Sequence, residues 1–235
     1  MTGHGLPGPA ELARGELEIV GRLVDASNAT FLATLPDGRR AVYKPVRGER
    51  PLDDFAHGTL ASRERAAFLL SEATGWAIVP PTVLRDGPFG RGMVQAWVEV
   101  DESVEVMDLL LAPDPRLRRI AVFDVLANNA DRKGGHLLPL AGGHIHAVDH
   151  GVTFAVEPKL RTVLWAWRGE PLADDELAVA EAVCSALEAD LGTALGELLS
   201  PAEVAAARRR ARALLRARRF PQPDPLRPAL PWPPF

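Results

Sequence analysis

The sequence predicts an α+β protein of two lobes, and three observations predict it. Short apolar runs fill the chain up to Val100, one helical pattern interrupts them, and helical spacing dominates from Asp101 onward. At 235 residues, 47% hydrophobic and 25% charged, the chain has the material for one sizeable core or two small ones. The expected division is a small N-terminal lobe over residues 1–98, a helical lobe over 99–220 and an extended tail over 221–235. A cleft between two such lobes is the natural place for a ligand.

After a start rich in glycine and proline, Leu17–Val24 reads as a strand, Asp25–Asn28 as a turn and Ala29–Leu35 as a second strand. Pro36-Asp37-Gly38 turns the chain into a third strand, Arg40–Val46, so the opening is an antiparallel meander. Ser62 is the expected N-cap of a helix whose Ala66, Leu69, Leu70 and Ala73 recur at helical spacing, with Gly75 as its stop. Strands near Pro81–Arg85 and Met93–Val100 flank the turn-rich Asp86–Gly92. Helical patterns follow at Val104–Leu111, Arg116–Asn128, Asp174–Leu199 and Pro201–Phe220, with a short strand pair near Leu137–Leu138 and Ile145–Val148 among them. Past Phe220, prolines recur too densely for a helix.

Composition excludes several classes. A net charge of −4 supplies no general attraction to nucleic acid or anionic lipid. No apolar run approaches the roughly 20 residues that span a bilayer, and no basic leader precedes an apolar stretch, so a cytoplasmic protein without nucleic-acid or membrane partners is expected. The one cysteine, Cys184, sits in the apolar run Ala180–Leu187 and reads as a buried helix residue.

The stretch Ile120–His136 carries the chemistry. An apolar helix pattern ends abruptly in Asn128-Asn129-Ala130-Asp131-Arg132-Lys133, followed by Gly134, Gly135 and His136, a density of polar groups that a core does not need. Asparagine suits a helix C-terminus because it tolerates left-handed backbone, and the two glycines allow a tight turn. Shortly afterwards Ala147-Val148-Asp149-His150-Gly151 places an acid at the end of a short apolar strand. Two carboxylates on neighbouring loops can share a metal.

Phe123-Asp124-x-Leu126-x-x-Asn129-x-Asp131-Arg132 followed by Asp149-His150-Gly151 resembles the active-site signature of the phosphatidylinositol 3- and 4-kinase-like proteins, the HipA-type toxin kinases and the secretory-pathway kinases. More narrowly, it is similar to a mainly actinobacterial family distantly related to those lipid kinases, and the resemblance runs from about Gly21 to Trp167. It implies a minimal bilobal protein-kinase-like fold that uses ATP with Mg²⁺ or Mn²⁺. Asp131 then stands where the catalytic loop has its acid, and Asp149 takes the part of the metal-binding acid. Lys44, on the third strand, corresponds to the phosphate-contacting lysine, and Glu64 to its helix partner, with Glu72 as the weaker alternative. The turn containing Ser27 and Asn28 occupies the place of the phosphate-covering loop without its glycine pattern, and an ordinary hairpin turn explains it as well. Gln95-Ala96-Trp97-Val98 falls where a hinge would meet adenine, with Met93 and Ile78 as apolar walls, although each also suits a plain core position.

Asn129 is expected to brace the loop, Arg132 to fix it through a salt bridge, and Asp124 to serve structure within the helix. His136 departs from the pattern, because most related kinases place there an asparagine that supplies an oxygen to a metal. An imidazole nitrogen disfavours a second Mg²⁺ and tilts the preference toward Mn²⁺ or a single ion. His150 reads as loop packing, and His144 and His146 as exposed. Trp165 and Trp167 fall where a kinase has its activation or substrate segment, and strand alternation or packing explains them equally. Arg208–Arg210, Arg212, Arg216, Arg218 and Arg219 make the last helix basic; a solvated face is the favoured reading, and a protein partner met through this helix and the proline-rich tail the minority one. A phosphotransferase acting on a hydroxyl of a small molecule, lipid headgroup or protein is therefore expected, with a nucleotide-binding regulator or an AMP transferase as alternatives.

Overall fold

The computed structural model describes residues 5–23 and 28–235. A first short helix, α1 (Pro9–Leu12), was not expected; its Leu12 is fully buried under the sheet that follows. Strands β1 (Glu18–Arg22), β2 (Phe31–Thr34) and β3 (Arg40–Pro45) form the anticipated meander. After helix α2 (Leu60–Thr74), the hairpin β4 (Thr82–Gly87) and β5 (Gly90–Ala96) completes an antiparallel sheet in the order β1-β2-β3-β5-β4. This hairpin is tighter than the sequence suggests, because Gly87 pairs with Gly90 and the ladder extends to the turn itself.

Strand alternation decides what β3 offers. Ala41 and Tyr43 are fully buried in a small core with Leu12, Leu17, Leu35, Val83 and Val94. Lys44, one residue on, therefore faces the opposite side of the sheet, where it pairs across the ladder with Met93. That side is covered by α2. The helix ends as expected at Gly75, whose φ of +68° is the left-handed C-terminal stop, but it starts at Leu60, two residues before the anticipated cap.

The second half is helical. After α3 (Val106–Leu111), helix α4 (Pro115–Ala127) is started by Asp114, whose carboxylate accepts from Arg116 N, and stopped by Asn128 at φ +53°. The two-stranded β6 (Leu137–Pro139) and β7 (Ile145–Ala147) follows. The single helix expected over 174–199 is two, α5 (Asp174–Leu187) and α6 (Asp190–Gly196). The break is held by a contact outside the segment: Arg208 of α7 (Pro201–Ala217) donates to the Leu187 carbonyl at 2.9 Å, and Gly192 lies so close to that carbonyl that a Cβ would stand 2.0 Å from it. No helix among the described residues is long and apolar enough to cross a membrane.

The larger core joins Ala66, Phe68 and Leu70 of α2 to Ile120 and Phe123 of α4, Leu177 and Val183 of α5, and Leu195 of α6. Helix α2 thus belongs to the helical core as much as to the sheet. Trp165–Trp167 is a 3₁₀ turn, with Trp167 packed on Phe220. Residues 221–235 carry no helix or strand but are anchored: Ala229 O accepts from Thr162 N (3.1 Å) and Trp165 Nε1 (2.8 Å), and Pro234 O from Gly134 N (2.8 Å). Contrary to expectation, His146 is buried, at 7% exposure, while His144 is exposed. On β7 the buried face includes position 146 because α2's exit covers it, and Ile78 O takes the His146 Nδ1–H at 3.2 Å. Cys184 is half-buried on α5.

Candidate active site

Three residues far apart in sequence meet beside β3. Lys44 Nζ lies 2.8 Å from Glu64 Oε1 and 3.0 Å from Asp149 Oδ1. Glu64 is 2% exposed, and its other oxygen accepts from His150 N at 2.9 Å, so the helix carboxylate ties the lysine strand to the Asp149 loop. Glu72 is exposed. Burial works to lower the Lys44 pKa, but Asp149 and Glu64 outweigh it and hold the ammonium above its ordinary range. The same ammonium holds the Asp149 carboxyl well below the usual carboxylate range. Asp149 itself stands at φ +61°, in the left-handed region that aspartate and asparagine tolerate better than other side chains.

The loop after α4 is built on Asp124. This carboxylate is fully buried, and it accepts from Asn129 Nδ2 (2.9 Å), Arg132 Nη2 (3.0 Å) and Arg132 Nε (3.1 Å). Asn129 Oδ1 in turn accepts from Asp131 N at 3.0 Å. Arg132 also donates to Val148 O (2.8 Å) and to His150 Nε2 (2.6 Å), and it is 0% exposed. Arg132 is therefore the brace that its expected salt bridge implies, its fully buried side chain does not reach the cleft, and Asn129 is its companion, so neither offers a side chain to a reacting group. Because the guanidinium can only donate, His150 Nε2 must accept, which puts the imidazole proton on Nδ1, facing Glu64 Oε2 at 4.0 Å. The bracing leaves Asp131 partly open to solvent. Burial raises its pKa, opposed by Lys133 at 3.6 Å and reinforced by the nearby Asp149. Two contributors escaped the sequence reading. Lys133 adjoins the motif and was legible; Arg161, which brackets Asp131 by donating its N–H to Asn129 O (2.9 Å) and accepting from Arg132 N (3.0 Å), sits too far downstream to be signalled.

His136 Nε2 lies 3.4 Å from Asp149 Oδ2, and burial lowers its pKa to about 4, so it is neutral. A half-exposed carboxylate beside a neutral imidazole fits a divalent cation that takes its other ligands from a phosphate and water, although no cluster of three such side chains occurs among the described residues. Gln95 is buried and spends its amide on Thr82 Oγ1 (2.8 Å), so its side chain is not offered to the cleft. Trp97 stacks under Arg40 with its buried Nε1 unpartnered. Met93 and Ile78 are buried. Ser27 lies outside the described residues; the Asn28 carboxamide oxygen accepts from Arg50 N at 2.8 Å, fastening Asn28 to the chain after β3.

No family model matches the chain. Over 96% of its length it is 45% identical to Protein Rv2133c of Mycobacterium tuberculosis (strain ATCC 25618 / H37Rv), of which the match covers 95%. The chain belongs to the Rv2133c family. This Rv2133c relative is also 30% identical over 168 residues to phosphatidylinositol 4-kinase gamma 4 of Oryza sativa subsp. japonica, a match covering 61% of the chain and 29% of the plant protein. A structure of the Golgi casein kinase with Mn/ADP bound superposes with a TM-score of 0.59 at 16% identity, over 92% of this chain and 79% of that one. A second Golgi casein kinase structure gives 0.50 at 17% identity, over 89% and 74%. At such identities the likeness is one of fold, and the fold of the Rv2133c relative is kinase-like.

Proposed function

We propose that this Rv2133c-family protein is an ATP-dependent phosphotransferase acting on a hydroxyl of a small molecule or protein. The observation that carries the reading is the convergence of Glu64 and Asp149 within 3.0 Å of Lys44 Nζ. Lys44, oriented by Glu64, contacts the nucleotide phosphates, and the base lies where β5 leaves the sheet at Trp97. Asp149 and His136 are the protein's donors to one divalent ion, Mn²⁺ being better served than Mg²⁺ by the nitrogen. Bound there, such an ion neutralises charge on the terminal phosphates. Asp131 takes the proton of the acceptor hydroxyl as that oxygen bonds the γ-phosphorus and ADP departs. Asn129 and Arg132 keep Asp131 in place. The lobes divide as 1–98 and 99–220, with 221–235 as tail, and a cytoplasmic location gives access to ATP.

The test is calorimetric titration of ATP with Mg²⁺ or Mn²⁺, joined to transfer from ATP labelled at the α- or γ-phosphorus into a panel of hydroxyl acceptors. Lys44→Met and Asp149→Asn should each lower γ-phosphate transfer about 10²–10³-fold. Asparagine is the right replacement because it keeps the left-handed backbone of position 149. Asp131→Asn should bind nucleotide and not transfer it. No nucleotide binding would overturn the reading; binding without transfer would make the protein a regulator, and transfer of the α-label an AMP transferase, the reading His136 keeps open.

A further inference from the structure

A second cavity, of about 830 Å³, lies away from the Lys44–Asp149 cleft. The end of α4, the segment 158–161, Trp165, the C-terminal half of α7 and the chain from Phe220 to Pro228 line it, and it is open to solvent on one side. Its size is that of a small-molecule site. Apolar wall comes from Val125, Leu160, Leu214 and Phe220. The charges on the wall are unbalanced. Lys159 is paired with Asp54 (2.5 Å) and Arg227 with Asp224 (3.6 Å), whereas Arg161, Arg210 and Arg219 have no carboxylate partner among the described residues. Arg210 is the telling one. Its Nε and Nη1 donate to the carbonyls of Leu126 (3.4 Å) and Ala155 (3.0 Å), and its Nη2 is out of solvent contact with no partner. Burial pushes its pKa down to about 10. A guanidinium withdrawn from water without a counter-ion is costly, and an anion in the adjoining space relieves that cost.

We infer that this cavity binds a soluble organic anion, a phosphate, sulfate or carboxylate carried on an apolar body. The anionic group meets Arg161 and Arg219 in the field of Arg210, and the apolar body lies along Leu160, Leu214 and Trp165. The inference goes beyond the phosphotransferase reading and does not depend on it. It has a consequence for that reading all the same, since Arg161 brackets Asp131 through two backbone hydrogen bonds and occupancy bears on the position of that carboxylate.

The probe is 8-anilinonaphthalene-1-sulfonate, compared with its neutral analogue N-phenyl-1-naphthylamine, in fluorescence titrations of the full chain. The sulfonate should saturate at one molecule per chain and stay bound in excess ATP with Mg²⁺. Its affinity should fall by roughly tenfold or more in the double variant Arg161→Gln/Arg219→Gln. Ala213→Trp, at an exposed wall position of α7, fills the cavity and should abolish binding at an unchanged melting temperature. The neutral analogue should be indifferent to the arginine changes. Unaltered sulfonate affinity in either variant, equal loss of both probes on removing the arginines, or displacement by ATP would each overturn the assignment. Co-flotation with phosphatidylglycerol vesicles that depends on Arg161 would replace the soluble ligand by a lipid headgroup.

Discussion

Asp124 shows how a single buried carboxylate can organise the loop that follows α4. It is fully buried and meets Arg132, Asn129 and, at 3.3 Å, Thr162 Oγ1. The ion pair it forms is one whose value lies in what happens when half of it is removed: Arg132, 0% exposed, would be left a buried charge without a partner. Asp124→Ala should therefore cost about 3–5 kcal/mol, as broken buried pairs do. Asp149→Asn removes a half-exposed charge, keeps the left-handed backbone of that position and should cost far less. Denaturant titration of the two variants checks the ranking, and equal destabilisation would show that the Asp124 network is not what holds the loop.

At the scale of elements, β7 carries a prediction about pH. Burial, helped by His144, lowers the pKa of His146 to about 4, against about 6.5 in an unfolded chain. A group whose folded pKa is depressed contributes stability that is full above the unfolded value. The contribution is lost as acid protonates the unfolded chain first, so it declines from pH about 6.5 down to about 4. His150, buried against Arg132 and lowered well below its ordinary value, acts in the same direction. The wild type should lose on the order of 3 kcal/mol from His146 alone over that window. His146→Gln, which retains an N–H for Ile78 O, should flatten the slope of stability against pH; an unchanged slope would show that His146 is not its source.

The same strand shows where sequence reading stops. The meander, α2, α4 with its asparagine stop, and the pair β6–β7 were legible because each is governed by periodicity and local turn chemistry. The meeting of Lys44 with Asp149 was legible as well, Asp149 through the motif and Lys44 through its place on the third strand. The burial of His146, the break between α5 and α6, and the bracket formed by Arg161 all depend on neighbours remote in sequence: Ile78, Arg208 and Asn129. Glu64, preferred to Glu72 from the sequence, is the carboxylate that meets Lys44, and the rotation of α2 leaves Glu72 exposed. Arg132 stands between these cases: its salt bridge was anticipated, but its complete burial came only with the packing around Asp124.

For the whole molecule, the decisive feature is that α2 is shared. Its apolar residues lie in the helical core, its Glu64 holds the sheet's Lys44, and its Arg63 reaches further still. Arg63, 2% exposed, donates to Thr153 O at 2.7 Å and to Glu203 Oε1 of α7 at 2.5 Å, with its guanidinium 4.8 Å from the centre of the Phe55 ring. A sheet and a helical bundle that own separate cores can unfold separately. Here the sheet has a small core of its own, yet unfolding the sheet alone would strip Glu64 of α2 of its Lys44 partner, and unfolding the bundle alone would expose the Ala66, Phe68 and Leu70 face of α2 to water, so each half loses contacts when the other unfolds. Far-ultraviolet circular dichroism and tryptophan fluorescence should therefore trace one coincident transition. Arg63→Ala should lower its midpoint by the equivalent of about 3 kcal/mol, leaving Glu203 without its partner, and should not split it. Two resolved transitions in the wild type would mean that the lobes unfold as independent units, and a transition that splits only in Arg63→Ala would identify that one guanidinium, rather than the shared α2 core, as the coupling element.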